Sequence, residues 1–256
     1  MPAVKLLSTP GIFLGDERLS PPRGKTSALL YYLAYQDDWV SRDDLLYLFW
    51  PDTDEAKARV NLRQLLKTVR KLPFLSSLDI TPTHLHWSVE TDVQSFRDCV
   101  TKEDWAGLAE LYQGSLLEGL RVDNFPEYES WLELERVALF NHYREAVFQL
   151  CQVLEAEGRF DEAAEHVERL YAFEPFDEAT FRQYLHYLKS SGRQTKALSA
   201  YENFREVLSQ ELGAEPDPVT RRLVEDIRAG DSYAVSAQSA SPNEPQPSLP
   251  VPATHF

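Results

Sequence analysis

The sequence has few of the features that mark secreted, membrane-spanning or disulfide-stapled proteins. Its two cysteines, Cys99 and Cys151, lie among apolar neighbours and form no CxxC or metal-binding spacing, so we expect buried free thiols in a reducing compartment. No apolar run approaches the ~18 residues of a membrane span. Residues 1–9 lack the basic start and apolar run of a signal peptide. We therefore expect a cytoplasmic protein with no membrane partner.

Motifs for catalysis and cofactor binding are also missing. Arg23-Gly24-Lys25-Thr26 looks like the end of a phosphate-binding loop, but Leu19 stands where that motif needs its first glycine. His84 and His86 share one face of a predicted strand with no Cys or third His nearby, which favours a surface hairpin over a metal site. G-x-S-x-G, H-E-x-x-H and paired catalytic carboxylates do not occur. We therefore expect no enzymatic activity, no cofactor and no metal.

What the sequence does carry is an uneven distribution of charge. The formal net charge is −15, yet residues 1–91 contain 11 Lys/Arg and 11 Asp/Glu. The remaining 15 Lys/Arg and 30 Asp/Glu fall in residues 92–256. Because an acidic field repels phosphate, only the N-terminal part is a candidate for binding nucleic acid.

Positive charge is concentrated in residues 56–72, AKARVNLRQLLKTVRKL, which contain six Lys/Arg and no acid. If this segment forms a helix with about 100° per residue, all six cations fall outside an apolar arc of about 120°. That arc contains Ala58, Leu62, Leu65, Leu66, Val69 and Leu72. The other face combines cations with Val60, Asn61 and Gln64, residue types that contact base edges. A solvated basic face is the alternative reading of an isolated charge run.

Short β-prone runs and helical patterns surround this basic helix. The predicted strands are Val4–Leu7, Gly11–Leu14 and Arg18–Leu19. Two helices precede the basic helix. The first is Thr26–Tyr35, and the second begins at a near-capping box over Ser41–Asp44 and ends at Phe49. Thr53 or Asp54 is the expected N-cap of the basic helix, and a hairpin over Leu78–Val89 follows it. The predicted order is sheet, helix, helix, basic helix, hairpin.

From Thr91 onward the pattern is helical and contains an internal repeat. Gly158-Arg159 recurs as Gly192-Arg193, and three more pairs share the same offset of 34 residues: Ala163 with Ala197, Leu154 with Leu188, and Leu170 with Phe204. This is the tetratricopeptide period. The predicted helices are Trp105–Tyr112, Glu129–Leu154, Asp161–Phe173, Glu178–Ser190, Thr195–Leu212 and Val219–Arg228. Residues 231–256, rich in Pro, Ser and Ala, are predicted to be a disordered tail.

A series of motifs resembles the Streptomyces antibiotic regulatory protein family over about residues 3–229. They are KTSALLYYL at Lys25–Leu33, VSRDDL at Val40–Leu45, WPD at Trp50–Asp52, ARVNLR at Ala58–Arg63, VRK at Val69–Lys71, DVxxF at Asp92–Phe96, LYxGxxL at Leu111–Leu117, Trp131 with Arg136, and ELGAEP at Glu211–Pro216. The resemblance implies an α+β N-terminal winged helix of the OmpR/PhoB type followed by an all-α tetratricopeptide-like helical domain, the bacterial transcriptional activation domain. The corresponding boundaries are residues 1–91, 92–230 and, for the tail, 231–256. Neither a receiver domain nor a nucleotide-binding domain flanks this pair, so direct control by phosphorylation or ATP is not expected.

The chain is therefore interpreted as a sequence-specific DNA-binding transcriptional regulator, an activator. The expected base-reading residues are Val60, Asn61, Arg63, Gln64 and Lys67. The expected phosphate contacts are Arg23, Lys25, Arg42, Lys57, Arg59, Arg70, Lys71, His84 and His86. Acidic helical repeats repel DNA and favour protein partners, and the resemblance implies two: a second copy of the chain and RNA polymerase.

A protein-interaction scaffold is the main alternative. In that case the tetratricopeptide-like helices would bind a basic peptide, matching their acidic composition, and the N-terminal domain would be incidental. Six unopposed cations over a face of base-reading residues argue against it. An enzyme is the third hypothesis and lacks any catalytic constellation.

Overall fold

The computed structural model describes residues 2–75, 77–121 and 125–239, and the chain divides into two compact units, Met1–Val153 and Leu154–Phe256. The first unit contains β1 (Ala3–Lys5), β2 (Gly11–Leu14), β3 (Glu17–Leu19), α1 (Lys25–Gln36), β4 (Val40–Ser41), α2 (Arg42–Phe49), α3 (Glu55–Val69), β5 (Leu78–Ile80), β6 (His84–Trp87), β7 (Glu90–Thr91), α4 (Asp92–Lys102), α5 (Trp105–Leu111) and most of α6 (Pro126–Ala156). The fold is the expected one: a small N-terminal sheet region followed by a mostly helical domain.

Two small sheets frame the three N-terminal helices. One has the order β3-β2-β1-β7, in which β1 pairs antiparallel with β2 and parallel with β7. The other has the order β4-β6-β5 and is antiparallel throughout. In β6, Leu85 and Trp87 are fully buried while His84 and His86 face the other side, as alternation along a strand requires. The strands β5 and β6 are the hairpin expected over Leu78–Val89, and β4 extends it into a wing.

Side-chain caps define where the helices begin. The Ser41 hydroxyl accepts a hydrogen bond from the Asp44 N–H at 3.0 Å at the start of α2. Of the two expected caps for α3, Asp54 is the one used, and its carboxylate accepts from the N–H groups of Ala56 and Lys57. Thr91 and Gln94 form a reciprocal capping box at α4. The helices predicted from the sequence do not include α4, although its T-x-x-Q signature is present.

The helices α4 and α6 contact the N-terminal elements directly, and the predicted boundary at residue 91 lies inside the first unit. The Asp92 carboxylate accepts from the N–H groups of Leu6 and Leu7 at 2.8 and 3.0 Å, and burial raises its pKa despite these bonds. The Trp131 ring on α6 contacts Tyr32 and Tyr35 edge-on, with centroids 4.7 and 5.3 Å apart. These contacts tie the first part of the helical domain to α1 and β1.

The second unit contains α7 (Phe160–Phe173), α8 (Glu178–Ser190), α9 (Gln194–Leu212) and α10 (Pro218–Ser239). Its backbone confirms the repeat of 34 residues. Gly158 and Gly192 both have φ near +75°, a conformation that glycine adopts without strain. After each glycine the next backbone N–H donates to a leucine carbonyl at 2.8 Å, from Arg159 to Leu154 in the first repeat and from Arg193 to Leu188 in the second. The two small residues at equivalent positions, Ala163 and Ala197, are fully buried, which lets paired helices approach closely.

The last helix is longer than expected. The sequence predicts a helix over Val219–Arg228 and a disordered tail from residue 231, whereas α10 continues to Ser239. The physical reason is that no proline follows Pro218 until Pro242, so nothing breaks the helix before the described residues end. The rest of the predicted tail, residues 240–256, lies outside the described part of the chain. None of the described helices is long and apolar enough to cross a membrane.

The capping box at α4 generates a stability prediction. Thr91→Ala removes the oxygen that accepts from the Gln94 N–H, and we expect the free energy of unfolding to fall by about 1 kcal/mol, measured by urea denaturation. Thr91→Ser keeps the oxygen and should recover most of the loss. Thr101→Ala, at an exposed position near the other end of α4, should change stability by less than about 0.5 kcal/mol. Equal losses at positions 91 and 101 would contradict the role of the cap.

Candidate nucleic-acid interface

The basic helix α3 packs as its periodicity predicts. Of the six apolar residues expected on the inner face, Ala58, Leu62, Leu66 and Val69 are buried, and Leu65 and Leu72 are half-buried. This face rests on α1 and α2. The opposite face is open: Val60 is 46% exposed, Arg63, Gln64 and Lys67 are exposed, and Asn61 is half-buried. All five expected base-reading residues therefore retain accessible surface on one helix.

Five of the six cations in this stretch form no ion pair with any described residue: Lys57, Arg63, Lys67, Arg70 and Lys71. All five are exposed. The Arg63 Nε donates to the Arg59 carbonyl at 3.2 Å, which directs its side chain back along the helix. Together they form a positive surface, and none of the five is ion-paired with a described residue.

Arg59 differs from the other cations because two carboxylates hold it. Its guanidinium lies 2.9 Å from Asp43 of α2 and 2.7 Å from Glu55 of α3, and the hydrogen bond with Glu55 raises its pKa. Sequence reasoning missed this arrangement because Glu55 lies one residue outside the acid-free stretch and Asp43 lies on another helix. We call these three residues the Arg59 clamp.

A hollow of about 320 Å³ opens between α2, α3 and the wing. The residues that line it are Arg42, Leu46, Arg59, Leu62, Arg63 and Pro82. The Arg42 N–H donates to the Thr83 carbonyl at 2.8 Å, joining α2 to the wing tip. Arg42 also lines this hollow, and its Nε is buried without a hydrogen-bond partner among the described residues. Guanidinium groups bind phosphate oxygens, which makes Arg42 a candidate phosphate contact.

Lys25 has a structural environment rather than an open one. Its ammonium donates to the Phe49 carbonyl at 2.6 Å, at the end of α2. It also lies over the Trp50 and Phe125 rings, 4.5 and 4.2 Å from their centroids. Burial lowers its pKa. The neighbouring Arg23 is exposed and lines a second hollow together with residues 119–121. This hollow shares no lining residue with the one beside α3.

The two wing histidines share a face of β6 but differ in surroundings. His84 is exposed, and its Nδ1 lies 2.9 Å from the Thr83 hydroxyl. His86 is half-buried, and its ring centroid is 5.4 Å from that of Trp39. Trp39 is 47% exposed and was not among the expected site residues. No group of three metal-binding side chains occurs among the described residues.

The small N-terminal sheet region and the helical repeats that follow it belong to a transcriptional regulator, as the match of the helical part to a family shows. Residues 90–228, more than half of the chain, match the family described as bacterial transcriptional activator domain. The chain therefore belongs to this family, which is a domain of transcriptional regulators. This confirms the resemblance to the Streptomyces antibiotic regulatory proteins.

Two curated relatives match a shorter stretch. The transcriptional regulatory proteins MoaR1 of Mycobacterium bovis and Mycobacterium tuberculosis are each 33% identical over 79 residues, which is 31% of this chain. The match spans a quarter of the length of these relatives. A solved structure titled Mycobacterium tuberculosis EmbR in complex with low affinity phosphopeptide superposes with a TM-score of 0.57 at 20% identity, covering 93% of this chain and 69% of that one. That similarity supports the fold.

The environment of Lys25 generates a prediction that separates structure from binding. Lys25→Gln removes the charged donor to Phe49 and both cation–aromatic contacts, so we expect the free energy of unfolding to fall by about 1 kcal/mol, read from urea denaturation. The matched change Lys71→Gln, at an exposed position without a described ion pair, should leave unfolding within about 0.5 kcal/mol of the parent. The reverse order of the two effects would show that Lys25 is a surface cation after all.

Proposed function

We propose that this regulator binds double-stranded DNA sequence-specifically, with α3 in the major groove, and activates transcription by recruiting RNA polymerase. The observation that carries the proposal is the open face of α3. This face, with Arg70 and Lys71 directly after the helix, combines five cations without described ion-pair partners with Val60, Asn61 and Gln64. An α-helix is about 10–12 Å across with its side chains, which fits the width of the major groove, about 12 Å.

The residues on this face divide by chemistry. Arg63 and Lys67 suit the acceptors of guanine, Asn61 and Gln64 suit adenine, and Val60 suits the thymine methyl group. Lys57, Arg70 and Lys71 at the two ends of α3 are the proposed phosphate contacts, together with Arg42 in the hollow and His84 on the wing. We assign Lys25 a structural role instead. Arg23 and His86 are retained as peripheral phosphate contacts, and Arg59 is considered separately below.

The helical part is proposed to bind proteins. Residues 92–256 contain all of the net charge of −15, which disfavours DNA and favours protein partners. The family resemblance implies two such partners, a second copy of the chain and RNA polymerase. Homodimerisation through the helical domain would place two copies of α3 on repeated half-sites, as expected from the resemblance. A cytoplasmic location accords with both partners.

The second candidate function is a scaffold whose repeats bind a basic peptide, and the acidic repeat region favours it. The two functions differ in which part of the chain binds the partner, α3 for DNA or the helical repeats for a peptide. A regulator needs α3, whereas a scaffold would bind its ligand equally well after the cations of α3 are removed.

The test is a gel-shift titration of the full chain against promoter DNA from its own genome at several salt concentrations. Five neutralised phosphates per protomer predict a slope of log K against log[salt] of about −4 to −5. Gln64→Ala should cost about 1–3 kcal/mol on the preferred site and relax one base position. Lys71→Ala should weaken all sequences alike and make the slope shallower by about 0.9.

Lys189→Ala is the matched control, because it removes an exposed lysine from α8 in the second unit. It should change neither affinity nor slope. A slope near zero, or no shift at any salt concentration, would refute the assignment of α3 to DNA. In that case binding of a basic peptide by the full chain, unaffected by Lys67→Ala, would support the scaffold.

A further inference from the structure

The Arg59 clamp places negative charge on the surface that the proposed function turns toward DNA. Asp43 and Glu55 belong to the first turns of α2 and α3, and both reach the same guanidinium at hydrogen-bond distance. Two carboxylates face one cation, so the cluster carries a net charge of −1. It adjoins the hollow whose other cations, Arg42 and Arg63, have no described ion pair.

Folding stability does not account for the clamp. The side chains of Arg59, Asp43 and Glu55 are 47%, 75% and 73% exposed. Ion pairs this open to water contribute little to stability, because solvent screens them and ordering three long side chains costs entropy. Each helix also has its own cap, Ser41 or Asp54, so neither carboxylate is needed to start its helix.

Binding would be affected more strongly, because a DNA phosphate would compete with the carboxylates. A phosphate entering the hollow meets Arg42 and Arg63 but finds the Arg59 guanidinium already occupied. Either a carboxylate must leave Arg59, or the phosphate must bind beside two like charges. Both routes reduce the counterion release that drives association.

We propose that Asp43 and Glu55 limit the affinity for DNA by withholding Arg59 from the phosphate backbone. This inference rests on the proposed function of α3. The clamp lowers the affinity for every sequence by a similar factor, since it acts on the backbone and not on base edges. It shortens the time that a chain with a strongly basic helix stays on any duplex, while the ratio of specific to non-specific affinity remains set by the base-reading residues.

The experiment compares the parent with Asp43→Asn, Glu55→Gln and the double variant, using a selected promoter site and an unrelated duplex at several salt concentrations. Both changes preserve side-chain size and remove charge. The double variant should bind both duplexes about fivefold tighter near 0.1 M salt, with a slope more negative by about 0.9, because one more phosphate is contacted. Each single variant should lie between the parent and the double variant.

Two controls make the result specific to Arg59. Glu110→Gln removes an exposed acid on α5 and should leave affinity and slope unchanged, which separates the clamp from a general loss of negative charge. Arg59→Gln added to the double variant should return both quantities to about the parent values. Thermal melts check that all variants fold.

The outcomes also separate this inference from the proposed function. If the parent binds its site with the steep slope and the double variant binds no tighter, the clamp does not limit affinity, although α3 remains a DNA reader. If the double variant binds more weakly, the carboxylates position Arg59 for binding and the inference is wrong in sign. If neither protein binds any duplex, both the inference and the proposed function fail.

Discussion

A helix with cations on one side and aliphatic residues on the other can pack in only one orientation, and the first unit depends on that constraint. Burying Lys or Arg without a partner is prohibitively costly, whereas burying Ala58, Leu62, Leu66 and Val69 stabilises the fold. α3 must therefore turn its apolar stripe to α1 and α2 and its cations to solvent. The same orientation that completes the core creates the proposed binding surface, so core packing and function impose compatible demands on each position of α3.

The wing and α2 are joined to this helix by contacts distant in sequence. The Arg42 N–H bonds to Thr83 at the wing tip, and Lys25 closes the end of α2 through Phe49. On the far side of α1, Trp131 and Tyr128 connect α6 to the same scaffold, the latter through a hydrogen bond to the Ala28 carbonyl. α1 therefore contacts both α3 and α6, and it joins the first part of the helical domain to the helix that carries the proposed binding surface.

Local and periodic features were readable from the sequence, and features that depend on distant contacts were not. The inner face of α3 follows from its spacing, and the repeat of 34 residues follows from Gly158 and Gly192 with their neighbouring Ala and Leu positions. In contrast, Lys25 looks like a phosphate ligand until Phe49 and Phe125 are placed beside it. Asp43 looks like a solvated acid until α2 and α3 are packed together. The composition of residues 231–256 as a whole predicts disorder, whereas the segment before Pro242 contains no proline to end α10.

The central claim is that the open face of α3 lies in the major groove of the regulated DNA, and tethered cleavage tests it most directly. An iron chelate attached at Gln64→Cys, in a chain whose own Cys99 and Cys151 are replaced by Ser and Ala, cuts DNA only where position 64 lies close to it. We predict cuts confined to a few base pairs within each half-site. The same probe at Lys189→Cys, in the second unit, should give no localised cuts. Cleavage from position 189 without cleavage from position 64 would contradict the claim.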